Sequence, residues 1–444
     1  MIRIVYNVLF LLFFCLSAPF YFLKMLRRGN WRGGFGQRFG FYSREFRERL
    51  RDKRVLWLHA VSVGEVNVCT ELIRELEPRL PGFQLIVSTT TSTGMARLRE
   101  ELPGHVAKVY YPIDLFWIVN RALRALHPSA VILIEAEIWP NLLWRLQRDN
   151  IPAMVVNARL SDRSYHGYRK HGWLFRRLFA SFAYIGAQNE SDAERLREIG
   201  YAEGAVAVPG ALKFDAARPP AEPRLDAGRL LERCGMKANA PVLVGGSTHD
   251  GEEALLARIA QNLRKQFPDL FLVLAPRHME RRGQVSAALR RLEVPFQLRS
   301  RMDHATEAPP DCQCLVVDTT GELVDFYRQA TIVFVGKSLT AKGGQNPIEP
   351  GALGKAMIFG PNMQNFRAVA RAFVAGGAAR QVPDEAELER ALSELLADRR
   401  ACASMGEMAL RAVAENQGAV ARTVDGVLAR LRQTGVLRES NPPT

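Results

Sequence analysis

Cysteine is scarce, with six in 444 residues. Cys15, Cys69, Cys234 and Cys402 stand alone, and Cys312-x-Cys314 is too tight for a zinc knuckle or a redox pair. A disulfide scaffold is therefore excluded, and reduced thiols of a cytosolic compartment are expected. The eight histidines are scattered, with no HExxH and no acidic DxD-type pair after a strand, so no metal is expected. No Gly-x-Ser-x-Gly elbow is present, which argues against a serine hydrolase. The glycine-rich segments match neither the P-loop nor GxGxxG. Glycine (34) and proline (24) are scattered, which excludes collagen-like and low-complexity chains.

What is present is ordinary globular composition, 48% hydrophobic and 24% charged, at a length that suits two domains. The net charge is +14, and residues 1–54 carry twelve Lys/Arg against three acids. That concentration lies directly behind an apolar stretch, IVYNVLFLLFFCLSAPFYFL (4–23), which holds no charge across 20 positions. About 20 apolar residues span a hydrocarbon core. Lys24, Arg27, Arg28, Arg32 and Arg38 follow it, so the large C-terminal part is expected in the cytoplasm. A cleaved signal peptide would place the basic cluster before the apolar run. A helix lying in one leaflet stays open. Residues 1–24 are thus read as an anchor and 25–54 as a basic segment facing anionic lipid. The recognisable motifs begin after residue 55, so removal of 1–23 is expected to leave the fold intact. The isoelectric point of about 9.8 raises a nucleic-acid reading. The placement of the charge, and the lack of RNP, zinc-finger and helix-turn-helix signatures, argue against it.

From residue 55, short apolar runs alternate with amphipathic segments. Strands are expected at 55–61, 84–89, 107–111, 130–135, 153–157, 183–187 and 205–210. After a proline-rich break at 216–224 the alternation restarts at 241–246, 270–275, 314–318, 331–336 and 356–360. Helical patterns close the chain near 384–398 and 402–433. Such alternation means parallel sheets covered on both faces. The expected architecture is α/β: an N-terminal Rossmann-like domain (55–215), a linker (216–240), a second Rossmann-like domain (241–400) and a C-terminal helical segment (401–444). Ligands bind outside the carboxyl ends of such strands.

Five polar segments follow strand ends. In HAVSVGE (59–65), Ser62 and Glu65 fit a capping box, and Glu65 also fits a carboxylate base; spacing alone favours the cap. EAEIWPN (135–141) puts two acids, Glu135 and Glu137, where a strand ends. The run 157–170 with Arg176 and Arg177 is a basic loop suited to a phosphorylated acceptor. In the second domain, GSTHDGEE (246–253) opens a helix whose amides could receive an anion, and Arg277 follows the next strand. DTTGEL (318–323) and GGQNPIEP (343–350) follow. In the latter, Asn346 fits an N-cap, Pro347 the first helical position and Glu349 the third. Free amides behind two glycines would make a phosphate seat, and Glu349 could reach ribose hydroxyls.

Taken in order, HAVSVGE, STTTSTG (88–94), YPID (111–114), EAEIWPN, NARLSDRSY (157–165), ALKFD (211–215), GSTHDGEE, PRH (276–278), DTTGEL, GGQNPIEP and GPNMQNF (360–366) resemble the 3-deoxy-D-manno-octulosonic acid (Kdo) transferases of Gram-negative bacteria. The resemblance covers essentially the whole chain. It implies a GT-B type fold, two Rossmann-like doubly wound domains facing a cleft, with CMP-Kdo held mainly by the second. It implies inverting, metal-independent transfer of Kdo to a lipid A precursor at the cytoplasmic face of the inner membrane, with no cofactor. Glu65 matches the general base, and Glu135 and Lys213 match residues assigned to transition-state support. Pro276, Arg277, Gly321, Glu322, Leu323, Asn346, Pro347, Ile348 and Glu349 match CMP contacts. The family often has His where Gln345 stands and Asn where Ala211 stands. Another membrane-anchored GT-B nucleotide-sugar transferase is the alternative. Many retaining members of that fold pair two Glu eight residues apart, whereas here the eighth residue after Glu349 is Met357.

Overall fold

Neighbouring residues of a strand point to opposite faces of its sheet. In the first strand, β1 (Arg54–His59), Val55 and Trp57 enter one apolar cluster while Leu56 and Leu58 enter another, all fully buried. A strand buried on both faces must lie inside a covered parallel sheet. The computed structural model describes residues 2–27, 33–135, 138–216, 222–302, 308–309 and 311–437, and within them it contains two such sheets. The first is built from β1, β2 (Phe83–Thr89), β3 (Ala107–Tyr110), β4 (Pro128–Ile134), β5 (Ala153–Ala158), β6 (Phe182–Ala187) and β7 (Val206–Ala207). Its order is β3-β2-β1-β4-β5-β6-β7, and its pairs are parallel. The second comprises β8 (Val242–Thr248), β9 (Phe271–Pro276), β10 (Phe296–Leu298), β11 (Cys314–Val316), β12 (Ile332–Val335), β13 (Ala356–Phe359) and β14 (Arg380–Gln381). Its order is β10-β11-β9-β8-β12-β13-β14, again parallel.

The chain divides into two units, Met1–Ala216 with Gln417–Thr444, and Ala217–Asn416. Twelve strands lie where the apolar runs place them. The two unforeseen strands, β10 and β14, are edge strands of three and two residues. Edge strands this short need no continuous apolar run, so their composition carries little signal.

The ends of the units differ from the sequence reading in two places. The stretch expected as linker over 216–240 contains a helix, Ala227–Arg233, capped by the Asp226 side chain. The helical pattern at 402–433 is two helices that part company at Gly418, which has φ 80°. The first, Arg399–Asn416, packs in the second unit. There Gly406 lies against the Gly354 carbonyl, so closely that a Cβ would come within 2.1 Å of that oxygen. The second, Ala419–Gln433, returns to the first unit. It buries Val420, Val424, Val427 and Leu431 among Leu72 and Leu76 of the helix Val63–Leu76. Asp215 fastens its start, accepting from the Gly418 and Val420 amides at 2.8 and 2.7 Å.

Part of the basic segment belongs to the fold. Arg38 donates to the Thr90 carbonyl at 2.7 Å and lies 4.0 Å over the Tyr110 ring, and burial lowers its pKa. The short helix Arg44–Leu50, capped by Ser43, keeps its arginines outward and buries Leu50.

Replacing Asp215 by Ala should uncap the helix Ala419–Gln433 and cost about 1 kcal/mol. A denaturant midpoint unchanged from the parent would show that the C-terminal helix does not depend on this carboxylate.

Candidate active site

In a doubly wound sheet the connections on either side of the strand-order reversal run to opposite faces and leave a crevice at the strands' carboxyl ends. In the first sheet the reversal falls between β1 and β4. Glu65 lies on the first turn of the helix after β1, and Glu135 immediately follows β4.

Ser62 caps the helix Val63–Leu76, and the capping box is complete. The Ser62 hydroxyl accepts from the Glu65 amide at 3.3 Å and donates to Glu65 Oε1 at 2.7 Å. The Ser62 amide donates to Oε1 at 3.3 Å and the Val61 amide to Oε2 at 2.9 Å. Three donors thus occupy a carboxylate that has about four lone-pair sites, leaving room for about one more. Glu65 is only 8% exposed. Burial raises its pKa above the ordinary carboxylate value, and the nearby charge of Glu135 adds to the rise. The turn is braced from behind by Thr89 and Thr91 of STTTSTG, both donating to the Val61 carbonyl at 3.1 Å.

Glu135 sits at φ 61°, a left-handed conformation unusual for a side-chain-bearing residue. Its amide donates to the Val156 carbonyl at 2.9 Å, and Lys213 Nζ lies 3.6 Å from its carboxylate. Lys213 opens a four-residue helix whose approach is held by Asn157, also at positive φ (56°), accepting from the Leu212 amide at 3.1 Å. Glu65, Glu135 and Lys213 are therefore brought together. In the sequence Asn157 stands only as the start of a basic run. Its polar side chain closing the apolar strand β5 was the available signal. Glu137 lies outside the described residues.

Two buried groups brace the same sheet edge. His59 bonds through Nδ1 to Ser88 Oγ at 2.9 Å and stacks on Tyr111 at 3.9 Å, and burial pushes its pKa down to about 3, so it is neutral. Asp114 of YPID, fully buried, accepts from the amides of Asn141 and Leu142 at 3.0 Å each, at the start of the helix Pro140–Arg148. Burial raises its pKa to about 6. The basic run after Asn157 is two short helices, Asp162–Lys170 and Gly172–Phe179, and not a loop. Arg163, Arg169, Lys170, Arg176 and Arg177 remain exposed there.

In the second sheet the reversal falls between β8 and β12. Arg277 follows β9 and is exposed, with Pro276 ending that strand. Glu349 is half-buried; burial raises its pKa, while the Asn346 amide, 3.1 Å away, and the Arg277 charge oppose the rise. Gly321-Glu322-Leu323 leads into the helix Leu323–Gln329 after β11, but the Glu322 carboxylate is taken by Arg299 at 3.0 Å and by Thr319.

The phosphate seat expected behind Gly343 and Gly344 is largely filled by the protein itself. Gly343 N donates to Gln364, Gly344 N to the Lys337 carbonyl and Gln345 N to the Gly336 carbonyl. The helix begins at Ile348 with Pro347 at its cap, and the Ile348 amide is held by Asn346. Similarly, the loop amides of Lys337, Ser338 and Leu339 are taken by Glu252, which also accepts from His249 N. A buried carboxylate receiving four backbone donors fixes this edge, and one of the four, the His249 amide, comes from GSTHDGEE itself. Among the described residues no group of three or more His, Cys, Asp or Glu could hold a metal ion.

A family model described as 3-deoxy-D-manno-octulosonic-acid transferase (kdotransferase) matches residues 33–216. A 3-deoxy-D-manno-octulosonic acid transferase of Haemophilus influenzae is 31% identical over 95% of this chain and 97% of its own. One from Bordetella pertussis is 33% identical over 92% and 96%. The chain belongs to the 3-deoxy-D-manno-octulosonic acid transferase family. It is a glycosyltransferase of GT-B type. A UDP-GlcNAc 2-epimerase structure from Neisseria meningitidis shares the fold at a TM-score of 0.56, with 15% identity, covering 85% of this chain and 100% of the other. A putative UDP-N-acetylglucosamine 2-epimerase of Listeria monocytogenes does so at 0.58 and 12%, covering 88% and 98%.

The raised pKa of Glu65 has a testable sign. Removing the Glu135 charge makes ionisation of Glu65 easier, so in Glu135→Gln the acid limb of the pH–rate profile should move to lower pH. A limb that stays put or rises would separate the two carboxylates. Glu65→Gln retains a capping-box side chain, so it should fold normally and lose about 10²–10⁴-fold in rate if this carboxylate is the base.

Proposed function

We propose that this chain is an inverting, metal-independent transferase that moves Kdo from CMP-Kdo to a lipid A precursor, at the cytoplasmic face of the inner membrane, in lipopolysaccharide synthesis. The observation that carries the reading is the grouping of Glu65, Glu135 and Lys213 at the reversal of the first sheet, in a chain of this family.

Glu65 takes the proton of the attacking sugar hydroxyl. Its burial suits that task, because a carboxyl with a raised pKa is the stronger base once ionised. Its three protein donors fix its orientation and leave one lone-pair direction for the acceptor. Lys213, beside Glu135, supplies positive charge where negative charge develops, and Glu135 holds that ammonium in place. The hydroxyl oxygen forms its bond to the sugar carbon as the bond to the CMP phosphate oxygen breaks, on the opposite face, which inverts the centre.

Arg277 stabilises the departing phosphate monoester, a task suited to guanidinium. Glu349 and Asn346 take the ribose, and the backbone around Pro276, Gly321, Leu323, Pro347 and Ile348 lines the nucleotide. With its carboxylate engaged by Arg299, Glu322 acts by holding its loop. The exposed cations of 163–177 receive the phosphates of the acceptor.

Incubating the purified chain with CMP-Kdo and a lipid A precursor should give a product heavier by one or more Kdo residues; an unchanged acceptor mass would overturn the reading. Arg277→Ala should fold normally and lose about 1.5–3 kcal/mol of donor recognition, seen as a raised KM for CMP-Kdo. Unchanged donor kinetics would remove Arg277 from the site.

A further inference from the structure

The N-terminal helix α1 (Ile2–Arg27) is apolar enough over Ile2–Phe20 to cross a membrane by composition and length. Two polar residues near its start, Tyr6 and Asn7, do not fit that reading, and both are spent on the first unit. The Tyr6 hydroxyl donates to Asp114 Oδ2 at 2.8 Å. Asn7 and Asn141 exchange a reciprocal pair of amide hydrogen bonds, both 3.0 Å, and Asn7 Oδ1 also accepts from the Phe116 amide at 3.3 Å. Tyr6 meets Trp144 edge-on, and Arg3 lies 5.4 Å over the same ring. Tyr6, Asn7, Phe10, Phe14 and Ser17 are half-buried at helical spacing, while Val5, Leu9, Leu12, Phe13 and Leu16 are exposed. One stripe of the helix therefore faces protein and the other does not.

Chain length adds a second constraint. After α1 the chain rejoins the unit at Gly34, which packs on the Tyr110 ring. Tyr110 is four residues before Asp114, where Tyr6 is held. From Tyr6 to Arg27 the helix is about 31 Å long. If it crossed a hydrocarbon core of about 30 Å, the seven steps from Arg27 to Gly34 would have to recross it. Those steps reach at most about 25 Å, and they would carry Arg28 and Arg32 through lipid.

We propose that α1 does not span the bilayer but lies in its interface, latched to the first unit by Tyr6–Asp114 and Asn7–Asn141. Its occupant is the surface of an anionic phospholipid membrane. The exposed apolar stripe enters the acyl region, continued on the body by Phe116 and Trp117, 53% and 47% exposed. Arg3, beside them, meets headgroup phosphates. The latch closes on the amides that Asp114 holds at Asn141 and Leu142. The lipid surface is thereby tied to the end of the segment that begins at Glu135. The inference rests on the membrane part of the proposed function and not on its chemistry.

Two measurements test it without any turnover. A protease-cleavable tag is placed before Met1 of the full chain, and the producing bacterium is assayed as intact spheroplasts and as inverted membrane vesicles. Tag and body should both be protected in spheroplasts and both cleaved in inverted vesicles. Cleavage of the tag in spheroplasts would overturn the in-plane placement. A chain found wholly in the soluble fraction would overturn the membrane reading and the placement with it. Separately, residue-resolved hydrogen exchange is measured on the full chain bound to phosphatidylglycerol–phosphatidylethanolamine vesicles. Tyr6→Phe with Asn7→Leu should speed exchange of the Asn141 and Leu142 amides about tenfold or more, as expected for loss of a bond to a charged group. Leu9→Ala with Leu12→Ala should leave it unchanged. Equal effects in both pairs, or none in either, would overturn the latch. Tyr6→Phe alone, which removes one oxygen, serves if the double variant does not fold.

Discussion

The reversal of strand order between β1 and β4 is the constraint on which the first unit depends. A parallel sheet pairs its interior backbone groups strand to strand and hides both faces under helices. Its polar chemistry is then confined to the strand ends, and only at the reversal do two neighbouring ends diverge. Glu65 and Glu135 occupy that position. A carboxylate anywhere else along β1 or β4 would lie in an apolar layer at a large desolvation cost.

Buried carboxylates hold the loops at both sheets' edges. Asp114 holds the start of the helix Pro140–Arg148, and Glu252 gathers four backbone amides of the loops after β8 and β12. Their oxygens satisfy amides that would otherwise be stranded away from water. The arrangement fixes loop shape without secondary structure. Gln364 and the carbonyls of Lys337 and Gly336 do the same for the amides of Gly343, Gly344 and Gln345, which on sequence spacing alone read as part of a phosphate seat.

Glu65 is both cap and candidate base, and the two roles reinforce one another. The capping box orients the carboxylate, burial raises its pKa, and one acceptor direction remains. Lys213 reaches Glu135 only because Asn157 and Asp215 pin its short helix between β5 and the returning C-terminal helix. The site therefore draws on both ends of the chain.

Apolar period and strand-end punctuation determined, by themselves, the two parallel sheets, twelve of the fourteen strands among the described residues and the placement of Glu65, Glu135, Arg277 and Glu349 in the connections that follow strands. These features are local: each strand is a continuous apolar run, and each loop begins where the run stops. Other features required the tertiary structure. Edge strands β10 and β14 are too short to print a pattern. The parting of the last two helices at Gly418 depends on which unit offers a matching apolar face, and 402–433 reads as one helix until Asp215 is seen to cap the second. Whether the glycine-loop amides face a ligand or the protein depended on Gln364, Gly336 and Lys337. And Tyr6 and Asn7 look like blemishes in an apolar helix until their partners, Asp114 and Asn141, more than a hundred residues away, come into reach. Hydrogen-bond partnership across such separations is set by folding and has no periodicity for a sequence to display.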